Sequence, residues 1–142
     1  MSGDLVKKLR EAMLREGGRF GLAYVILFGS HARGDAGPLS DLDLLVEFLD
    51  RRTDLYRLGS LASMVEGEVG RPVDIIQYSS SPPSLRYKAF REGITIYIAS
   101  KKMYVEDKRR AIMEWLDYSV KYRRLVAIYL EAVLHGRPRA DV

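Results

Sequence analysis

The residues of this chain whose types and spacing could do chemistry are a Gly-Ser pair and three carboxylates. Gly29 and Ser30 follow the apolar run Tyr24-Val25-Ile26-Leu27-Phe28, and ten residues separate Ser30 from Asp41-Leu42-Asp43. A third carboxylate, Asp74, stands inside Val73-Asp74-Ile75-Ile76. Residues two apart on a strand share a face, so Asp41 and Asp43 are expected to point the same way. Clustered carboxylates need a counter-charge, and hard oxygen donors select Mg²⁺ or Mn²⁺. A small hydroxyl residue on a turn with open backbone amides suits a phosphate. Metal and phosphate together point to nucleotidyl transfer, a displacement by a hydroxyl at the α-phosphorus of a nucleoside triphosphate. Two divalent ions about 3.5–4 Å apart serve such a reaction. In that scheme Asp41 and Asp43 bridge the ions. Asp74, on the adjacent strand, completes the site and assists proton removal. Ser30 and the amides after it hold the β- and γ-phosphates.

Periodicity supplies the elements that must position these groups. Asp4 to Glu16 carries a helical stripe of Leu5, Leu9, Ala12 and Met13, closed by Gly17-Gly18. Leu22 to Phe28 reads as a buried strand. Ser30 to Arg33 opens a short helix, ended by Gly34 and the turn-rich Asp35-Ala36-Gly37-Pro38. Asp41 to Phe48 is the second strand. Thr53 is placed to cap a helix through Leu55, Leu58, Leu61, Ala62 and Val65, ending near Gly67 or Gly70. Pro72 to Tyr78 forms the third strand, Pro83 to Arg91 a short helix, and Ile94 to Ile98 the fourth strand. From Met103 to His135 there is no Gly or Pro, which predicts one long helix or two abutting ones. This alternation, with four short strands, is an α/β or α+β domain with helices packed on a sheet.

At 142 residues the chain is one compact domain, or one domain with an appendage. It has no cysteine, which excludes disulfides and thiolate metal sites, and its two histidines, His31 and His135, are too scattered for a zinc centre. The opening residues lack the apolar stretch of a signal peptide, and no apolar run reaches a membrane span. The expectation is a soluble, cytoplasmic protein without a membrane partner. Residues 1–100 balance 13 basic against 13 acidic groups, whereas residues 101–142 carry 10 against 6, so the net charge of +4 lies wholly in the last stretch. A basic tail can meet nucleic acid or an acidic protein, but a solvated helix face is the commoner reading.

Leu27-Phe28-Gly29-Ser30, Ser40-Asp41-Leu42-Asp43-Leu44-Leu45-Val46 and Val73-Asp74-Ile75 resemble the three signature blocks of the DNA polymerase β nucleotidyltransferase superfamily. More narrowly, Gly29-Ser30-His31-Ala32-Arg33-Gly34 with its ten-residue gap resembles the minimal nucleotidyltransferases, or MNT proteins. The resemblance spans residues 20–98. It implies a small mixed sheet flanked by helices, and a two-gene toxin–antitoxin module in which the partner is a HEPN-domain ribonuclease. The MNT protein is then the antitoxin that adenylylates a tyrosine of that toxin from ATP. It also implies Asp41, Asp43 and Asp74 as metal ligands, Asp74 with a base-like role, and Gly29 and Ser30 as phosphate holders. Arg33 is a further phosphate candidate, with an ion pair to Asp35 or Asp41 as its structural alternative. His31 is left out of the chemistry.

The division expected is a catalytic domain over 1–100 and a C-terminal helical extension over 101–142. Ile112, Trp115, Leu116, Tyr122, Val126, Tyr129, Leu130 and Val133 recur at intervals of three to four, and Ala111, Tyr118, Leu125 and Ile128 widen that face. Such a helix either covers the sheet or projects as a partner interface. An Arg followed four to six residues later by His, the HEPN ribonuclease pattern, is missing. Two alternatives stay open. One is a non-catalytic antitoxin that neutralises its partner by docking; the other is a nucleotidyltransferase acting on a small molecule or an RNA end. Nucleic acid is disfavoured as a partner by the modest charge, and self-association is left open.

Overall fold

A computed structural model describes residues 2–136 of the chain. The elements in order are α1 (Ser2–Glu16), β1 (Leu22–Phe28), α2 (Ser30–Arg33), β2 (Leu42–Phe48), α3 (Leu55–Val69), β3 (Val73–Gln77), a 3₁₀ turn (Tyr78–Ser80), α4 (Pro83–Glu92), β4 (Ile94–Ile98) and α5 (Lys101–Leu134). The four strands lie in the order β3-β2-β1-β4, with β2 and β3 parallel and the other pairs antiparallel. The sheet is therefore mixed, as the motif resemblance implies.

The period of two divides the sheet into two packed faces. Leu42, Leu44, Val46 and Phe48 of β2 join Val25 and Leu27 of β1 against Leu9 and Met13 of α1 and Leu61 and Val65 of α3. Leu45 of β2 and Tyr24, Ile26 and Phe28 of β1 face Ala89 and Phe90 of α4 and Ala111 of α5. Both faces of β1 are covered, which is why every residue of it is buried and why it reads as an unbroken apolar run. By parity Asp43 and Glu47 belong to the second face.

Several boundaries differ from the expectation by a residue or two, and two of them bear on the site and its support. Asp54, not Thr53, caps α3, its carboxylate accepting from the amides of Tyr56 and Arg57 at 3.0 and 3.2 Å. A charged acceptor there also meets the positive helix end, an advantage a threonine hydroxyl lacks. Asp41 lies one residue before β2 rather than within it. Of the two arrangements expected for the last stretch the structure has the single helix, over residues 101–134, begun by Ser100, whose hydroxyl accepts from the Met103 amide at 3.2 Å.

At 1.5 Å per residue α5 runs about 50 Å, and its buried residues are Asp107 and Ala111. Asp107 anchors it. One carboxylate oxygen accepts from the Tyr24 hydroxyl at 2.6 Å, and Arg51 donates to both oxygens at 2.7 and 3.1 Å. Arg51 also reaches buried Glu47 at 3.2 Å, and Glu47 accepts from Gln77 at 2.8 Å and from the Ser79 hydroxyl. Beyond this anchor, Leu116, Tyr118, Tyr122, Leu125, Tyr129, Leu130 and Val133 are all at least half exposed. The helix thus begins on the sheet and then projects. No helix among the described residues is long and apolar enough to cross a membrane.

Candidate active site

The parallel pairing of β2 with β3 aligns Asp43 with Asp74, and the antiparallel pairing of β2 with β1 aligns Asp43 with Phe28. Asp43 therefore stands between the last residue of β1 and the third carboxylate. Gly29 follows Phe28 with φ 75° and ψ −154°, a backbone region open only to glycine. A Cβ on Gly29 would collide with the Asp43 carboxylate. Glycine is needed here twice, for its torsion and for the approach of the carboxylate to the loop. No side chain caps α2, whose residues Ser30 and His31 follow directly. Gly34 closes it in the left-handed conformation, and the turn Gly37–Ser40 brings the chain back to Asp41.

The electrostatics mark Asp43. Its carboxyl is pushed above the usual carboxylate range, first by burial and then by the charges of Asp74 and Asp41, with His31 and Arg33 drawing it back. Asp41 and Asp74 themselves are exposed. Like charges held together in this way would be relieved by a cation.

Each predicted residue has a definite place. Asp41, Asp43 and Asp74 gather at the entry of the two parallel strands, with Gly29 against Asp43 and Ser30 next in line. Arg33 lies close enough to act on Asp43, yet its guanidinium is engaged by Asp35 at 3.2 Å and Glu92 at 3.7 Å. Asp35 was one expected partner of it; Asp41 is not its partner, and Glu92 arrives from α4. Among the described residues no group of three acidic, histidine or cysteine side chains already forms a metal cage. The donor set is nonetheless all hard oxygen, and the repulsion it stores is of the sign a divalent cation relieves.

Sequence reasoning passed over His31. Its ring is buried, and Nε2 lies 3.1 Å from the carbonyl oxygen of Ser40 and 3.2 Å from Nη1 of Arg71. These partners are nine and forty residues away in sequence, so no local spacing announces them. A cleft of about 790 Å³ opens behind it, walled by Leu5, Lys8, His31, Pro38, Val69 and Arg71. That cleft lies on the α1/α3 side of the sheet, whereas Asp43 faces the α4/α5 side, so this cleft is not the carboxylate site.

The family model described as "Polymerase beta, Nucleotidyltransferase" matches residues 18–102, which hold all six predicted site residues. The protein adenylyltransferase MntA of Thermococcus cleftensis is 32% identical over 90 residues, covering 63% of this chain and 83% of that protein. Among solved structures, a toxin–antitoxin with AMP-PNP superposes with a TM-score of 0.70 at 16% identity, over 85% of this chain and 98% of the other. A complex of the tri-AMPylated Shewanella oneidensis HEPN toxin with MNT antitoxin gives a TM-score of 0.66 at 15% identity, over 92% and 99%. At such identities the structural likeness speaks for the fold alone, and the sequence matches speak for descent. The chain belongs to the polymerase beta nucleotidyltransferase family, among its minimal nucleotidyltransferases, and is a nucleotidyltransferase.

Proposed function

We propose that the chain is the antitoxin of a two-component module, a divalent-metal-dependent protein adenylyltransferase that moves AMP from ATP to a tyrosine of a HEPN ribonuclease toxin. The observation that carries the reading is the alignment of Asp43 with Asp74 across β2 and β3, beneath the Gly29–Ser30 loop, with the Asp43 carboxyl raised by burial and by its like-charged neighbours. The names of the MntA relative and of the AMPylated toxin complex agree with it.

In this reading Gly29 lets the triphosphate approach the backbone, and the Ser30 hydroxyl with the amides that follow donates to its β- and γ-phosphate oxygens. Arg33 supports the phosphates from the rim, in competition with Asp35 and Glu92. The acceptor tyrosine's oxygen attacks the α-phosphorus; a new P–O bond forms, and the bond from that phosphorus to the bridging oxygen of the β-phosphate breaks. The hydroxyl proton passes to Asp74, and pyrophosphate leaves. Asp41, Asp43 and Asp74 would hold Mg²⁺ or Mn²⁺, which when bound neutralises the leaving group and favours the deprotonated acceptor. Residues 1–100 are the catalytic part. The projecting half of α5 presents Tyr118, Tyr122, Tyr129 and Leu130 to the partner, which brings its own acceptor surface.

Incubation with α-³²P-labelled ATP and Mg²⁺, with and without the candidate HEPN partner, tests this on a denaturing gel. Label on the partner that disappears with Asp41→Asn is the expected result. A stable complex that never carries label would instead favour neutralisation by docking, which the exposed α5 also permits.

A further inference from the structure

The three motif blocks of the site lie far apart in sequence, and one buried side chain in the first touches the opening residue of the second and a residue just ahead of the third. His31 belongs to the phosphate loop, directly after Ser30. Its Nε2 meets the carbonyl of Ser40, the peptide that leads into Asp41, at 3.1 Å, and the guanidinium of Arg71, three residues before Asp74, at 3.2 Å. The two strands so joined are also tied at their entry by the Leu42 amide donating to the carbonyl of Pro72 at 3.0 Å. We propose that His31 is a positioning residue, a clasp between the phosphate loop, the Ser40 backbone that leads into β2 and the Arg71 side chain that precedes β3. This rests on the nucleotidyltransferase reading above and assigns within it a residue that the motif comparison leaves out.

The chemistry of the ring defines the clasp. A neutral imidazole nitrogen either donates or accepts. With its proton on Nε2 the ring donates to Ser40; with its proton on Nδ1 it accepts from Arg71. Both partners face one nitrogen, so each tautomer makes one of the two hydrogen bonds, and an apolar residue of similar size would make neither. A glutamine reaches the same place with an N–H for Ser40 and an oxygen for Arg71, and can serve both at once. Groups that hold metal ligands from outside typically change metal affinity or activity by about 10- to 100-fold when removed.

His31→Leu and His31→Gln in the full chain separate the clasp from mere packing. Two readouts are taken: Mn²⁺ affinity by electron paramagnetic resonance titration, and deuterium exchange of the backbone over residues 40–43. With His31→Leu, Mn²⁺ binding weakens about tenfold and residues 40–43 exchange faster, while α1 and α3 keep their protection. His31→Gln restores both values to within about twofold. Arg71→Leu weakens Mn²⁺ binding in the same way, and His31→Leu combined with Arg71→Leu is no worse than the stronger single variant. Wild-type affinity and exchange in His31→Leu, or a His31→Gln as defective as His31→Leu, would overturn the proposal. A wild-type protein that binds no Mn²⁺ would count against the metal-dependent reading, and exchange over 40–43 would still decide the clasp.

Discussion

Replacing Asp107 by alanine is the sharpest probe of how the sheet carries the long helix. Tyr24 is fully buried, and its hydroxyl is held in the protonated, donating form first by burial and then by its bond to Asp107. Removing the carboxylate leaves that hydroxyl without an acceptor, a penalty of about 1–3 kcal/mol. Arg51 is 37% exposed and keeps Glu47, so its charge is not stranded and the larger cost of breaking a buried pair applies only in part. The sum is about 3 kcal/mol. Tyr24→Phe alone should cost about 1.5 kcal/mol, because Asp107 retains two bonds from Arg51. The double variant should then cost about 3 kcal/mol, not the sum of the two, since a phenyl ring asks for no acceptor. Urea unfolding of the four proteins at a common m-value measures this, and deuterium exchange shows whether α5 loosens from the sheet. Costs that add to within about 0.5 kcal/mol would refute the coupling and with it the anchor.

Gly29→Ala places a methyl against Asp43 at a glycine-only torsion, so it should lose about 1–3 kcal/mol and at least a hundredfold in AMP transfer; wild-type turnover would contradict the geometry. Asp43 has a raised native pKa, so the native state holds its proton more tightly than the unfolded chain, and metal-free stability is lost as pH rises from the ordinary 3.8 through the native value. Asp43→Asn should therefore raise the metal-free Tm at neutral pH, with the gain vanishing in acid; a lower Tm at pH 7 would show that the repulsion is not felt. Tyr122→Lys with Leu130→Lys alters two exposed residues of the projecting helix, so stability should change by less than about 0.5 kcal/mol. ATP binding by calorimetry should persist in that variant while co-purification of the partner is lost.

Local pattern made much of this fold legible. β1, α2 and β4 fall where the apolar runs and the neighbouring glycines place them, because each has both a clear pattern and a nearby boundary signal. The six predicted site residues sit in motif blocks, and the strand register aligns Asp43 with Asp74 without further information. What stayed hidden depends on contacts across long sequence gaps. The pairing of His31 with Arg71 is one case. Another is the network of Glu47, Gln77, Arg51 and Asp107: a single glutamate in an apolar strand and a single aspartate in a charged helix turn give no sign that both are fully buried. Asp54 took the cap from Thr53 because two candidates one residue apart are separated only by the backbone's path into the helix.

Asp43 and Glu47 show how one strand can make two opposite uses of the same chemical group. They lie on the same face of β2, four residues apart, and both are carboxylates taken partly or wholly out of water. Glu47 is surrounded by donors from Arg51, Gln77, Ser79 and the amide of Phe48, so its charge is bound and the end of the sheet it occupies is locked. Asp43 meets Asp74 and Asp41, with only the weaker pull of His31 and Arg33 to offset them. The fold could have placed a donor there, as it does around Glu47, and it places glycine instead. Stability at one end of β2 comes from satisfying a carboxylate; in the proposed function, activity at the other end comes from leaving carboxylates for a cation and a triphosphate to satisfy. Substitutions around Glu47 should then act on folding, and replacements of the Asp43 carboxylate on catalysis at little cost to folding. The distance between the two sites along β2, about 13 Å at 3.3 Å per residue, is enough for their effects to add.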